Sequence, residues 1–244
     1  MNFTENDHRY FNDDGEVYTS VTTVLKELEE HVDWEAVLIK SAKKKKMSPE
    51  DLRKEWDEAG LVARTRGTAY HNKREEELLN TGVVVYDNSV LKVNKPIWED
   101  GVKKSNSMKL LPGVYPELLI WLDSAMIAGQ ADYIEVTEDN LLNVKDWKTN
   151  KKLEFKGFTN WQGKTKKLLY PLSHLDDCNG IIYSLQLNMY AYIILRHNPK
   201  LTLGKMHIVH IIFNEDGTVT EVPIEVPNLQ KEIKVLMEHF KSLL

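Results

Sequence analysis

Residues 129–148 have the sequence GQADYIEVTEDNLLNVKDWK, in which two runs of strand-forming residues flank the turn-like triplet Glu138-Asp139-Asn140. Residues 114–122, VYPELLIWL, form another apolar run that ends at the turn-like pair Asp123-Ser124. Short apolar runs separated by turn residues are typical of consecutive antiparallel strands. The sequence therefore predicts an antiparallel meander with strands at 114–122, 126–136 and 141–148.

Helical patterns lie on both sides of this meander. Before it, residues 18–30 start extended and become amphipathic, Ser48-Pro49 has the features of a helix start, and a further helix is expected at 61–79, ended by Thr81-Gly82. We also expect a short strand at 83–86 and a helix at 95–108. After the meander we expect a long loop at 151–179, a helix at 181–197, strands at 206–213 and 218–226, and a last helix from Asn228 to Leu244.

This order of elements predicts an α/β protein with a mixed central sheet that is flanked by helices. The length of 244 residues favours one domain, residues 1–244. Within it, residues 1–82 are expected to form a mainly helical N-terminal part, and residues 83–244 to contain the sheet core.

Composition excludes several classes of protein. Hydrophobic residues make up 42% of the chain, an ordinary globular balance. No apolar run approaches the roughly 20 residues of a membrane-spanning helix, and the polar, acidic N-terminus lacks a signal-peptide pattern. The single cysteine, Cys178, excludes a disulfide framework, a cysteine-based zinc site and a four-cysteine iron–sulfur cluster within one chain. We expect a cytoplasmic protein without a membrane partner.

The charge of the chain is unevenly distributed. The formal net charge of −5 argues weakly against a nucleic-acid partner. From Lys145 to Lys167, however, eight lysines stand against Asp146 and Glu154. An active site can be acidic for metal ions while its rim is basic for phosphates, so net charge does not decide the partner.

Two carboxylates and a lysine lie on the predicted strands of the meander. Asp146 and Lys148 are two residues apart in a strand, so their side chains share one face of the sheet, and Asp132 on the preceding strand can lie across from them. Paired carboxylates are ligands for a hard divalent cation such as Mg²⁺. A bound cation lowers the pKa of a water molecule, and Lys148 can orient that water and offset developing charge.

The common alternative is a surface ion pair, because an Asp-x-Lys triplet is frequent on exposed strands. Asp132 argues for the functional interpretation: it lies in an otherwise apolar strand after Gly129, where burying an aspartate is costly unless it is paired or binds a metal.

Two further pairs of polar residues have helical spacing. Gln186 and Tyr190 are four residues apart in an apolar helix, as are His71 and Glu75 in GTAYHNKREE, residues 67–76. The alternatives are a buried Gln and Tyr with satisfied hydrogen bonds, and a solvated face for the His71 helix.

Taken in order, the His71 motif, Gly-x-x-Asp132, Asp146-x-Lys148 and Gln186-x-x-x-Tyr190 resemble the RecB-like branch of the PD-(D/E)XK nucleases. Residues 18–25, YTSVTTVL, also resemble a segment of the phage and mitochondrial single-strand exonuclease members. The resemblance covers residues 18 to about 192. It implies a restriction-endonuclease-like core and a Mg²⁺-dependent DNA exonuclease, with Mn²⁺ as a substitute and no iron–sulfur cluster.

The resemblance also implies roles for individual residues. Asp132 and Asp146 would bind the metal with His71 and the main-chain carbonyl of Trp147, Lys148 would be the catalytic lysine, and Gln186 and Tyr190 would support the site and contact the DNA backbone. Glu117 matches an acidic position of some members and would bind a second metal ion. A surface strand residue after Pro116 is the alternative for Glu117, and Glu75 is similarly open.

The lysine-rich segment after Lys148 also contains aromatic residues that suit unpaired bases. It predicts a loop over which a DNA strand passes, and a mobile loop with its aromatics in the core is the alternative. The expected substrate contacts are Arg64, Arg66, Lys151, Lys152 and Trp161.

Several functions stay open at this point. The leading hypothesis is an exonuclease that acts on single-stranded DNA or DNA ends in recombination, repair or phage replication, with recombination or replication proteins as partners, in the cytoplasm of a bacterium or a phage-infected host. The alternatives are an endonuclease or flap nuclease with the same core, a non-catalytic nucleic-acid-binding module, and a metal-binding or structural protein with chance motifs.

Overall fold

The computed structural model describes residues 1–86 and 89–241, and within them twelve strands and five α-helices are defined. The strands are β1 (Asn2–Thr4), β2 (Arg9–Phe11), β3 (Val17–Ser20), β4 (Val83–Tyr86), β5 (Ser89–Lys92), β6 (Ile97–Glu99), β7 (Val102–Lys104), β8 (Gly113–Leu122), β9 (Ile127–Val136), β10 (Leu141–Lys148), β11 (Thr202–Phe213) and β12 (Val219–Glu225). The helices are α1 (Val21–Lys26), α2 (Trp34–Lys45), α3 (Pro49–Thr81), α4 (Asn179–His197) and α5 (Gln230–Lys241).

A mixed sheet forms the centre of the molecule. Its order is β12-β11-β10-β9-β3-β2-β1-β7-β6, with β8 also paired to β9, while β4 and β5 form a separate hairpin. Strand β9 is antiparallel to β8 and β10 and parallel to β3, and β10 is parallel to β11. Helices cover the sheet, so the α/β expectation of a mixed central sheet with an antiparallel meander is confirmed.

Different elements pack against the two faces of the sheet. On one face, α1, α4 and α5 pack their apolar residues against the strands, and the buried residues of this layer include Val24, Leu187 and Ile233. On the other face, Tyr70 of α3 and Leu91 of the β4–β5 hairpin pack against Trp147 and its neighbours. Burial of both faces is the main stabilising contribution, because removal of apolar area from water drives folding.

Strand β9 changes partner part-way along its length. Near its start, Ile127 and Ala128 pair with β3, and towards its end residues 133–136 pair with β10. The last pair with β10 joins Tyr133 to Lys145. Between the two partners, residues 129–132 face a gap in the sheet, and Asp132 lies at its edge. This gap positions the candidate site.

Helix α3 is one continuous helix of 33 residues, so the prediction of a separate helix at 61–79 is wrong at its start. The expected caps are both present: the Ser48 hydroxyl accepts a hydrogen bond from the Asp51 N–H, and Gly82 ends the helix with φ of +69°. Gly60 and Gly67 lie inside the helix, where each costs only about 1 kcal/mol relative to Ala. A Cβ atom at Gly67 would lie 3.0 Å from the Thr149 hydroxyl, so this glycine lets α3 approach the end of β10.

The prediction of a helix at 95–108 is wrong. The segment contains strands β6 and β7 around the turn Asp100-Gly101, whose φ angles are +50° and +77°. Asp-Gly is a strong hairpin signal for this reason. Strand β7 then pairs with β1, which adds the β6–β7 hairpin to the edge of the sheet formed by the N-terminal strands. The first 20 residues therefore contribute three strands that the sequence pattern does not predict, while helices predominate in the rest of residues 1–82.

Most of the remaining elements agree with the sequence, whereas no element was predicted at α2 or β5. Strands β8, β9 and β10, helix α4, strands β11 and β12 and the start of α5 lie within a few residues of their predicted positions, and residues 149–178 contain only isolated bridges. The Asn228 side chain accepts a hydrogen bond from the Gln230 N–H at the start of α5, as its capping role requires. The predicted end of this helix at Leu244 lies outside the described residues. None of the described helices has the length and apolar character of a membrane crossing.

Asn188 connects α4 to the start of α5 inside the core. It is fully buried, its Nδ2 donates to the carbonyls of Ser184 (2.8 Å) and Pro227 (3.0 Å), and its Oδ1 accepts from the Leu229 N–H (2.8 Å). A buried amide with several partners is costly to remove, because each partner left unpaired loses its hydrogen bond without regaining water.

We expect Asn188→Ala to lower the free energy of unfolding by about 3 kcal/mol, since it leaves the Leu229 N–H and the Pro227 carbonyl unpaired. Urea denaturation followed by circular dichroism measures this loss. Asn80→Ala, on the exposed side of α3, is the control and should change stability by less than about 0.5 kcal/mol. An Asn188→Ala variant as stable as the control would contradict the anchoring role.

Candidate functional site

Three acidic side chains form a row across the meander. Glu117 lies opposite Asp132, between the pairs Pro116–Tyr133 and Leu118–Ala131. Asp146 lies opposite Asp132 on the other side, one position beyond the last pair of β9 and β10. All three are buried, with exposed fractions of 8%, 8% and 1%. The alternatives of a surface residue for Glu117 and of a surface ion pair for Asp146 are therefore wrong.

The row coincides with the point where β9 and β10 separate. Beyond the last ladder pair, the N–H of Trp147 donates to Asp132 Oδ2 at 2.9 Å instead of to a strand carbonyl. The Trp147 carbonyl lies 2.9 Å from Nε2 of His71 on α3. Side chains therefore satisfy both main-chain groups of Trp147, whose ring packs on the opposite face of the sheet against Tyr133.

His71 faces the acidic row with its other nitrogen. Because a carbonyl can only accept, Nε2 donates to Trp147, and Nδ1 is left facing Asp132 Oδ2 at 3.3 Å and Glu117 Oε1 at 4.0 Å. A lone pair on Nδ1 would be repelled by two ionised carboxylates, so the arrangement requires a proton between Nδ1 and a carboxylate oxygen or a cation among the three groups. Possible ligand atoms of His71, Glu117 and Asp132 all lie within 4.8 Å of one another.

Asp146 and Lys148 form a close pair. The Lys148 Nζ lies 2.6 Å from Asp146 Oδ2 and 4.6 Å from the centre of the Tyr183 ring. Burial alone would lower the pKa of Lys148, but the charges of Asp146 and Asp132 outweigh it and hold this pKa above its usual value. The ammonium group is therefore charged and aimed at the acidic row. Asp146 Oδ1 is buried and accepts no hydrogen bond from any described residue.

The electrostatics of the row are unfavourable without a cation. Burial raises the pKa of Asp132 well above its usual value, and the nearby charges of Asp146 and Glu117 raise it further. These three carboxylates are offset by two lysines, Lys148 beside Asp146 and the buried Lys103 near Glu117. This excess of buried negative charge is the electrostatic condition for binding a divalent cation.

Glu117 adopts a strained backbone conformation. Its φ is +48°, in the left-handed region that is rare for residues with a side chain, although it lies within strand β8. Such strain costs of order 1–3 kcal/mol and is found mostly at functional sites. Its Oε2 accepts a hydrogen bond from Gln130, whose own Oε1 is buried without a partner among the described residues. Gln130 belongs to the site, and its place in Gly129-Gln130-Ala131-Asp132 is the one signal the sequence offers.

A cavity of about 180 Å³ opens onto the row. Gln186 and Tyr190 of α4 line it, and the Gln186 Nε2 donates to the Tyr190 hydroxyl at 2.6 Å. A Cβ atom at Gly129 would lie 3.1 Å from the Tyr190 ring, so this glycine allows the ring to pack over β9. The N-terminal strands add lining residues that sequence reasoning missed, namely His8, Tyr10 and Ser20.

The expected metal and catalytic residues thus meet at one place. His71, Asp132, Asp146, the Trp147 carbonyl, Lys148 and Glu117 converge on the row, and Gln186 and Tyr190 line the adjoining cavity. The alternative of a solvated helix face for His71 is wrong, because His71 contacts β10.

The expected substrate contacts lie outside this cavity. Arg64, Lys151, Lys152 and Trp161 are exposed, and Trp161 is 91% exposed. Arg66 stacks 4.3 Å from the centre of the Phe213 ring at the end of β11. Phe158 is also 75% exposed, so the alternative in which the aromatics of this loop pack into the core is wrong for its tip.

The donor set fits a hard divalent cation. Asp146 Oδ1 is buried without a hydrogen-bond donor among the described residues, and Nδ1 of His71 faces Asp132 and Glu117. Carboxylate and carbonyl oxygens are the ligands that Mg²⁺ and Mn²⁺ prefer, and a carboxylate that binds Mg²⁺ needs no further donor. Asp132 and Asp146 would hold one ion together with His71 and the Trp147 carbonyl, and Glu117 lies within 4.8 Å of the ligand atoms of His71 and Asp132.

Comparison with known proteins leaves the family unassigned. No protein-family model matches the chain, and no curated protein matches its sequence. The crystal structure of SSO0001 is similar over 92% of this chain and 74% of SSO0001, at 14% sequence identity and a TM-score of 0.32. A likeness of that size assigns neither a fold family nor a function.

We expect Asp132→Asn to stabilise the metal-free protein, because it removes one of three buried like charges while the amide oxygen can still accept from Trp147. Thermal unfolding in EDTA should show a higher midpoint for this variant than for wild type. Added Mg²⁺ should raise the midpoint of wild type and leave the variant nearly unchanged. Asp139→Asn, exposed in the β9–β10 turn, is the matched control. Equal Mg²⁺ stabilisation of Asp132→Asn and wild type would contradict the assignment of the ligands.

The raised pKa of Asp132 also predicts a pH dependence. A carboxyl whose pKa is higher in the folded than in the unfolded protein binds more protons when folded, so its contribution to stability is present below its unfolded pKa of about 3.8 and is lost as pH rises through the folded pKa. In EDTA, wild type should therefore lose more stability than Asp132→Asn as pH rises from 4 towards 7. Parallel curves of unfolding free energy against pH for the two proteins would refute this.

Proposed function

We propose that this chain is a metal-dependent DNA nuclease of the RecB-like PD-(D/E)XK type, with a restriction-endonuclease-like core, that hydrolyses phosphodiester bonds at DNA ends. The observation that carries the proposal is the convergence of Asp132, Asp146 and Lys148 at the point where β9 and β10 separate, with the Trp147 carbonyl beside them. Buried carboxylates beside a charged lysine are the groups that metal-dependent hydrolysis of a phosphodiester uses.

Each residue of the site has a separate role in the proposed hydrolysis. A bound Mg²⁺ would polarise the phosphate and supply an activated water molecule. Lys148, held by Asp146, is placed to orient that water and to offset the negative charge that develops on the phosphate. His71 orients the Trp147 carbonyl through its Nε2–H, and Gln130 orients Glu117. Gln186 and Tyr190 form the wall opposite the strands and would contact the DNA backbone.

Exposed basic and aromatic residues outside the cavity support DNA as the substrate. Arg64 and Arg66 lie just before Gly67, where α3 approaches Thr149 directly after Lys148. Lys151 and Lys152 follow in the same segment, and the exposed Trp161 offers a flat surface on which an unpaired base can stack. We place the activity in the cytoplasm of a bacterium or a phage-infected host, together with recombination or replication proteins.

The test is cleavage of end-labelled single- and double-stranded DNA, linear and circular, with Mg²⁺, with Mn²⁺ and with EDTA. We expect metal-dependent loss of linear DNA, because the proposed hydrolysis depends on a cation held by the acidic row. Asp146→Asn and Lys148→Met should each lower the rate by about a thousandfold, the loss typical of removing one group that stabilises transition-state charge. Lys145→Met, on the opposite face of β10 beside Tyr133, is the matched control and should keep its activity.

The outcomes separate the alternatives. Cutting of circular DNA would replace the exonuclease by an endonuclease or flap nuclease with the same core. Folded protein that binds DNA but cuts none of these substrates with either metal would leave a non-catalytic binding module. Full cleavage activity of Asp146→Asn would contradict the assignment of the active site.

A further inference from the structure

A buried lysine lies near the end of the acidic row that is opposite to Lys148. Lys103 of β7 is 2% exposed, and its Nζ lies 3.9 Å from Glu75 Oε1 and 5.5 Å from the centre of the Trp98 ring. Among the nearby carboxylates, Glu117 has the strongest effect on the charge of Lys103. The acidic row therefore has an ammonium group near each end.

Separate elements bring Lys103 together with its two carboxylates. Lys103 belongs to β7, which pairs with β1 and β6, and Glu117 belongs to β8. Glu75 lies four residues after His71 on α3, so both side chains leave the same face of the helix. Burial raises the pKa of Glu75, the charge of Lys103 opposes this effect, and the charge of Glu117 adds to it. Lys103 is therefore a counter-charge that Glu75 and Glu117 share.

The ammonium charge of Lys103 depends in turn on these carboxylates. Burial lowers the pKa of Lys103, and the charges of Glu117, Glu75 and the exposed Glu5 oppose that effect. A buried charge is stable only when it is paired, and the face of the Trp98 ring adds a favourable contact with a cation. Removal of the lysine would leave Glu75 and Glu117 without their buried counter-charge.

The charges of the row suit one divalent cation. Glu117, Asp132 and Asp146 contribute three negative charges when ionised, and Lys148 and Lys103 contribute two positive charges. One Mg²⁺ at Asp132 and Asp146 already outweighs the remaining negative charge. In two-metal sites the ions lie about 3.5–4 Å apart, so a second ion would lie beside Glu117. Repulsion from the buried ammonium group opposes an ion at that place.

We propose that Lys103 replaces a second metal ion beside Glu117, so that the acidic row binds one divalent cation and not two. That cation is held by Asp132 and Asp146, an assignment that rests on the proposed function. Glu117 is then the partner of Lys103, and not the ligand of a second metal ion that the family resemblance implies. Lys103 acts on the metal site through Glu117 and is therefore a positioning residue.

The experiment counts the Mn²⁺ ions bound to the full chain, from the electron paramagnetic resonance signal of the Mn²⁺ that stays free. Wild type should bind one ion up to a free Mn²⁺ concentration about tenfold above the midpoint of binding. Lys103→Met should bind two, because it frees Glu117 and Glu75 as ligands, whereas Lys103→Arg keeps the charge and should bind one. Lys104→Met, next to Lys103 on β7 and paired with Glu99, is the matched control and should also bind one.

A double variant locates the additional ion. Addition of Glu117→Gln to Lys103→Met should return the count from two to one, because the second ion then loses its carboxylate ligand. Two ions bound to wild type, or one ion bound to Lys103→Met, would overturn the role of Lys103. If Lys103→Met does not fold, Glu117→Gln alone decides. One ion in both wild type and Glu117→Gln supports the role, and loss of an ion on this substitution overturns it.

Failure of the proposed function has a different signature. A wild-type chain that binds one Mn²⁺ and cuts no DNA would contradict the nuclease and leave the role of Lys103 supported. A wild-type chain that cuts DNA and binds two Mn²⁺ would do the reverse. Absence of bound Mn²⁺ in wild type would overturn both, because the acidic row would then hold no ion.

Discussion

The separation of β9 from β10 at Asp132 and Asp146 is the constraint on which the rest of the site depends. In an unbroken ladder, the N–H and carbonyl of Trp147 would be used by a neighbouring strand. Here the N–H donates to Asp132 and the carbonyl accepts from His71, each over a distance of 2.9 Å. The opening brings Asp132 and Asp146 side by side in a buried position and admits the His71 ring of α3. Gly67 permits that approach, because a side chain there would meet Thr149.

The candidate site contains several features that destabilise the fold, and other parts of the protein compensate for their cost. Glu117 is held at a positive φ, Asp132 is a buried carboxyl beside two others, and Asp146 Oδ1 has no donor among the described residues. Two apolar layers on either side of the sheet and the anchored junction of α4 and α5 supply the compensating stability. A cation bound at the acidic row would stabilise the folded protein, since it would offset the repulsion between the buried carboxylates.

Sequence patterns predicted the elements whose signal is local. Apolar runs bounded by turn residues located β8, β9 and β10. The prediction of a helix at residues 95–108 was wrong because the charged residues of this segment resemble a helix surface. The Asp100-Gly101 turn instead makes the segment a β-hairpin. Within the site, spacing placed Asp146 and Lys148 on one face. The positions of Tyr10 and His8 in the cavity depend on the pairing of the N-terminal strands with β9, and no local pattern marks these residues. Trp161 and Lys151 were predicted as substrate contacts from the composition of their segment, and neither residue lines the cavity.

The central claim is that the acidic row binds a divalent cation at the point where the strands separate. The most direct measurement is an anomalous difference map from a crystal of the wild-type chain equilibrated with Mn²⁺. The account predicts a peak within about 2.5 Å of carboxylate oxygens of Asp132 and Asp146 and of the Trp147 carbonyl. Ordered side chains at this position with no peak between them, or Mn²⁺ found only elsewhere on the molecule, would contradict it.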